Sequence, residues 1–285
     1  MELISSSRIV KAQQRVLASD PYARALYRAV SLAASHSSEK HALLTKAENP
    51  KRAAILVVTA DRGLAGAYSA NILREVEQLT KLLAEQGMDV ERYAVGRKAQ
   101  GYYKFREKPV AEVWTGITDN PQPEHAEEIA HKLLASYALG GENGGVDEIH
   151  IVYTRFKNRV SQVVEVLRVL PLAVVEEVFE GQNITYAEPQ AAVLASFDFE
   201  PSADAVLDAL LPQYVTYLVY ASLLQAAASE HAARQRSMKA ATENAEDLIK
   251  TYTRLANQAR QSEITQEISE IVGGADALAS ATAGS

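Results

Sequence analysis

Apolar positions fall into three regimes along the chain. In the first, Leu3, Ser6, Val10, Gln13 and Leu17 hold a spacing near 3.5 residues, the mark of a helix with one packed seam. Arg8, Lys11 and Arg15 make one side of it basic. Asp20-Pro21 interrupts the pattern, but proline is tolerated in the first turn of a continuing helix. Tyr22, Leu26, Val30 and Ala33 then carry the apolar face to about Ala34. Residues 35–52 are polar and mixed and include Asn49-Pro50, so they read as a linker.

The second regime begins at Ala53. The run Ala53-Ala54-Ile55-Leu56-Val57-Val58 is continuously apolar and of strand length, as expected for a strand covered on both faces. A turn, Asp61-Arg62-Gly63-Leu64-Ala65-Gly66, leads into a predicted helix over 67–85, closed by Gly87. Strand 90–95, helix 97–105, strand 110–114 and helix 124–138 follow. Gly140 to Gly145 is a turn, and β-branched and aromatic residues mark strands at 148–156 and 162–170. Phe197 to Pro201 reads as a short strand or lead-in segment. Ser202 then caps a helix over 203–211, which Pro212 is expected to kink into a much longer one.

The third regime is Gln213–Val272, without glycine or proline, bounded by Pro212 and Gly273-Gly274. One helix of that length measures roughly 90 Å. Its seam runs Tyr217, Tyr220, Leu224, Ala227, His231, Arg234, Met238, Ala241, Ala245, Leu248, Tyr252, Leu255, Ala259 and Ser262. That is a coiled-coil spacing, rich in alanine and thin in leucine. After Ser262 the apolar positions become Ile264, Ile268, Ile271, Ala275 and Leu278, about half a revolution away. The shift predicts a change of surroundings at Ser262.

These regimes predict α/β plus long helices: an antiparallel coiled coil of N- and C-terminal helices (1–34 and 201–285) flanking a central Rossmann-like α/β domain (53–200). The N-terminal helix is the shorter. Beyond about Ala241 the long helix lacks an intrachain partner, and Leu248, Tyr252 and Leu255 are expected to be bare. Either a partner protein surrounds that length or the N-terminal helix begins before Met1.

Composition narrows the functions. The 285 residues are 47% apolar, enough for a substantial core, and the net charge of −7 argues against a general nucleic-acid binder. No cysteine is present, which excludes disulfides, thiolate metal sites and cysteine nucleophiles. There is no signal-peptide pattern and no apolar run long enough to span a membrane. The Asp61–Gly66 turn occupies the place of a phosphate loop but matches neither G-x-G-x-x-G nor a P-loop. The six histidines show no metal spacing, and His231 falls on the seam as a packing residue. Tyr102, Tyr103 and Phe105 with Lys104 and Arg106 fit core packing with a basic edge better than base stacking. No catalytic residue, cofactor or metal is expected.

Four stretches carry a resemblance. Ile264-Thr265-Gln266-Glu267-Ile268-Ser269-Glu270-Ile271-Val272-Gly273-Gly274-Ala275 resembles the signature of the γ subunits of F-type ATP synthases. Thr59 to Tyr68 is similar to that family's S-D-R-G-L-C-G-x-Y stretch, with Ala65 in place of cysteine. Ser229 to Arg234 and Met238 to Ala245 resemble it too, and the similarity runs through essentially the whole chain.

The resemblance implies a single-copy, non-catalytic rotor shaft. Its implied partners are the F1 α, β, δ and ε subunits and the membrane c-ring, on the cytoplasmic side of the cell membrane. It implies that Arg260, Gln261, Ile264, Thr265, Glu267, Ile268, Glu270, Ile271 and Leu278 face the α/β hexamer. It places Phe197, Asp198, Phe199 and Glu200 near ε and the c-ring. It also implies a first helix that begins before the equivalent of Met1. Two other readings of the residues stay open: a Rossmann-type nucleotide-binding enzyme with a helical appendage, and a self-associating coiled-coil scaffold.

Overall fold

The computed structural model describes residues 2–36, 41–172 and 199–283, with side chains described from Ile4, except at Asp20, and through Ala275 in the last helix. The chain divides into two compact units, Met1–Arg236 and Ser237–Ser285.

In the first unit, helix α1 (Glu2–His36) runs unbroken through Pro21. Strand β1 (Arg52–Val58), helix α2 (Tyr68–Glu85), strand β2 (Asp89–Val95), helix α3 (Arg97–Phe105), strand β3 (Glu112–Trp114) and helix α4 (Pro123–Leu139) alternate. A 3₁₀ turn at Gly141–Asn143 precedes strands β4 (Glu148–Phe156) and β5 (Gln162–Leu170). Helix α5 (Ala203–Ala283) closes the chain.

The five strands form one sheet in the order β3-β2-β1-β4-β5. All pairs are parallel except β4–β5, which is an antiparallel hairpin because no helix separates them. The apolar run of β1 lies at the centre. Its Ala54, Leu56 and Val58 join a core with Leu26 of α1, Ile129 and Leu133 of α4, and Leu207, Val215 and Leu218 of α5. Its Ala53, Ile55 and Val57 face the other way, against Ile72, Val76 and Leu83 of α2 and Tyr103 of α3. Covering both faces is what a continuous apolar strand requires. Tyr103 is thus a core residue, and Arg106 stacks over Tyr102 with 4.8 Å to the ring centroid.

Helices α1 and α5 pack antiparallel in the first unit. Tyr22 meets Tyr217 edge-on at 6.0 Å between ring centroids, and Tyr27 meets Tyr214 at 6.5 Å. On the seam, Leu224, Ala227, His231 and Arg234 are buried, and Tyr217, Tyr220 and Met238 are half-buried. From Lys239 to Ala275 every residue is exposed.

One expectation is corrected. Gly273-Gly274 does not end the long helix, which continues to Ala283. Each glycine costs only about 1 kcal/mol in a helix, a penalty and not a stop. Pro212 joins its two sides within one helix, and Thr216 Oγ1 donates to the Pro212 carbonyl at 2.9 Å.

Candidate partner surface

Helix α5 in the second unit has no buried residue among those described, so local interactions maintain it. Lys239–Glu243 at 3.8 Å, Asp247–Lys250 at 3.2 Å and Gln266–Glu270 at 3.0 Å link successive turns. Thr265 and Ser269 each return their hydroxyl to the carbonyl four residues back, at 2.8 and 2.9 Å. The side-chain pairs contribute tenths of a kcal/mol apiece, and the hydroxyl back-bonds add nothing to them. They do not compensate for leaving large apolar side chains in water.

The apolar side chains form two stripes. Leu248, Tyr252 and Leu255 lie along one side of the helix, with Tyr252 66% exposed. Ile264, Ile268 and Ile271 lie along another, with Ile271 71% exposed. Sixteen residues separate Leu248 from Ile264, which places the stripes about 160° apart around the axis. Arg260, Gln261, Thr265, Glu267 and Glu270 are exposed on the same turns as the second stripe. The side chain of Leu278 lies outside the described residues.

The lead-in segment behaves differently. Phe199 is half-buried against the core, its ring 5.5 Å from that of His36, and Glu200 is exposed. Phe197 and Asp198 lie outside the described residues.

The Asp61–Gly66 turn works as a bracket. One Asp61 carboxylate oxygen accepts the backbone N–H groups of Gly116 (2.8 Å) and Thr118 (3.1 Å), and the other accepts that of Arg97 (3.1 Å). Burial raises its pKa, but these three donors outweigh burial and hold it below the usual carboxylate range. The backbone donors near the turn therefore already face an anion that the chain supplies, which argues against a phosphate cradle here.

Beyond the bracket, the Gly63 carbonyl accepts from Arg234 Nε at 3.3 Å. Arg234 also pairs with Glu230 one turn earlier and lies 3.8 Å from Asp119. Asp119 in turn pairs with Arg8 of α1 at 3.2 Å and with Arg62 at 2.9 Å. His231 Nε2 lies 3.2 Å from the Asp119 carbonyl. Burial lowers the His231 pKa, so it is a neutral packing residue, as its place on the seam predicts. Burial pushes Glu230 up to about 7 against the pull of Arg234. Sequence reasoning missed this cluster. Its one legible signal was the acid–base spacing of Glu230 and Arg234 at i, i+4.

A cavity of about 460 Å³ beside the cluster is lined by Arg8, Lys11, Arg15, Arg62, Asp119 and His231 among others. Among the described residues, no group of His, Asp and Glu is arranged to hold a metal ion. Among them, no helix is long and apolar enough to cross a membrane.

A family model described as ATP synthase matches residues 1–278. The ATP synthase gamma chain of Acidothermus cellulolyticus is 58% identical over 278 residues, covering 98% of this chain and 90% of that one. That of Thermobifida fusca is 55% identical over 285 residues, covering 100% and 92%. Among solved structures, the central stalk and c-ring of Tetrahymena thermophila mitochondrial ATP synthase matches with a TM-score of 0.59 at 24% identity, covering 85% of this chain and 97% of that one. The rotor of the Euglena gracilis mitochondrial enzyme gives 0.55 at 14% identity, covering 92% and 98%. At those identities the structures speak to the fold.

Proposed function

The chain belongs to the ATP synthase gamma-chain family, and from that premise we propose how its geometry serves the complex. It is the central rotor shaft, transmitting torque between a proton-driven c-ring and the catalytic α/β hexamer. The observation that carries this is the fully exposed length of α5 from Lys239 to Ala275, with two apolar stripes on opposed faces. Large contiguous apolar surface marks a place for a partner. Stripes at different levels and on different sides suit a shaft enclosed by several subunits. One flat partner or a symmetric two-helix zipper would call for a single seam.

In this reading Ile264, Ile268, Ile271 and Leu278 ride against an apolar collar of the hexamer. Arg260, Gln261, Thr265, Glu267 and Glu270 exchange hydrogen bonds with its loops as the shaft turns. Phe197, Asp198, Phe199 and Glu200 lie toward ε and the c-ring, Phe199 lending its ring to the internal core. The chain is non-catalytic and works with α, β, δ, ε and the c-ring on the cytoplasmic face of the membrane. The bracket at Asp61 supports a structural role for the α/β block over nucleotide binding.

The test is reconstitution. Added to α, β and ε subunits, the chain should enter a complex in single copy, and ATP hydrolysis should then drive rotation of a bead fixed to it. Tight stoichiometric nucleotide binding by the isolated chain would favour the enzyme reading, and a stable homodimer the scaffold reading.

A further inference from the structure

A shaft must be gripped where torque enters it, and apolar packing is a poor grip. Buried apolar contact is non-directional, and packed helices undergo small sliding motions. Directional polar bonds resist rotation, because turning the helix leaves buried donors and acceptors without partners.

Such bonds gather on one short length of α5. Gln225 Oε1 accepts the backbone N–H of Phe156 on β4 at 3.1 Å, and Ser229 Oγ donates to the Thr154 carbonyl at 2.9 Å. Arg236 reaches the Val160 carbonyl and the Gln162 side chain on the same hairpin. The Tyr68 hydroxyl, at the start of α2, donates to the Ala226 carbonyl at 3.1 Å. Arg234, held by Glu230 one turn earlier on the same helix, donates to the Gly63 carbonyl, and His231 engages the Asp119 loop, itself tied to α1 through Arg8.

At about 100° per residue, Gln225, Ser229 and Arg236 occupy one sector of the helix within about 40°. Arg234 occupies a second, about 180° from Gln225, and His231 a third at about 240°. The ties therefore surround about two thirds of the helix circumference within three to four turns.

We infer that residues 225–236 form a collar through which torque passes between the α/β block and the long helix, with Arg234 and Ser229 as opposed positioning residues. This rests on the rotor reading and adds where in the chain the coupling is made. The paired replacement Glu230→Gln with Arg234→Met loosens the turn side while leaving no buried lone charge from that pair. Gln225→Leu with Ser229→Ala loosens the hairpin side.

The experiment uses the whole complex in vesicles. Proton pumping per ATP hydrolysed is measured, together with the angular variance of a bead on the c-ring when the hexamer is fixed. With both sides loosened, hydrolysis should persist, the variance should rise, and pumping per ATP should fall by about half, more than the two single-side losses combined. Unchanged pumping and variance with both sides loosened overturns the collar. If that variant does not assemble, the single-side variants decide: no rise in variance from either overturns it. A lowered melting temperature without a change in variance assigns these residues to stability alone. If the unaltered chain fails to restore pumping to a complex deprived of its gamma chain, the rotor reading fails instead.

Discussion

Replacing Asp61 by alanine removes one carboxylate that satisfies three backbone donors, those of Gly116, Thr118 and Arg97, at 2.8–3.1 Å. A hydrogen bond to a charged acceptor contributes about 1.5–3 kcal/mol when sheltered. The bonds to Gly116 and Arg97 are exposed and that to Thr118 is part-buried, so water takes over much of the first two. Discounted for that exposure, each bond contributes about 1 kcal/mol, and the loss should be about 3 kcal/mol for the three together. Asp61→Asn keeps one oxygen acceptor and should lose about half as much.

Urea unfolding of the isolated chain, followed by far-UV circular dichroism, measures both variants. The pH dependence gives a second check. The folded-state pKa of Asp61 is depressed, so its contribution is present above the unfolded value of about 3.9 and disappears as pH falls through the folded value. Below that range the wild type and Asp61→Asn should converge in stability. A loss under about 1 kcal/mol for Asp61→Ala at neutral pH, or a gap that persists in acid, would refute the bracket.

Other perturbations test other links. Gly96 has φ +94, and an added Cβ would stand 2.7 Å from the Thr59 carbonyl oxygen, so Gly96→Ala should cost at least about 2 kcal/mol in the same urea assay. Glu230 titrates in the opposite sense to Asp61. Its folded pKa of about 7 is above the unfolded one, so its stabilisation is full below about pH 4.3 and lost as pH rises through 7. Glu230→Gln should flatten the decline in stability between those limits, measured as melting temperature against pH. Leu255→Ser and Ile268→Ser change exposed residues, so each should alter the stability of the isolated chain by no more than about 0.5 kcal/mol. Both should weaken capture of the chain by α and β subunits in a sedimentation assay, and equal capture by wild type and variants would count against the exposed stripes as contact surface.

The range of the forces involved decides which features were legible in the sequence and which were hidden. The β1 run announced a strand covered on both faces because each residue carries its own burial preference, and β4 and β5 begin and end at Glu148, Phe156, Gln162 and Leu170, where that preference changes. The long helix was legible because nothing in Gln213–Val272 breaks a helix, yet Gly273-Gly274 misled, since a helix formed by its neighbours absorbs two glycines. The seam shift at Ser262 told which side of the helix is apolar. It was silent on what covers that side, because cover depends on how far a distant segment extends. The Asp119 contacts to His231 and Arg234 join residues more than a hundred positions apart, and no local pattern marks such pairs. The same reasoning explains the second unit. Its apolar side chains are spaced as regularly as those of a core, but nothing in this chain buries them among the described residues. A periodicity maintained over that length is legible in one sequence because the spacing of the apolar residues alone marks a face of the helix, whatever covers that face.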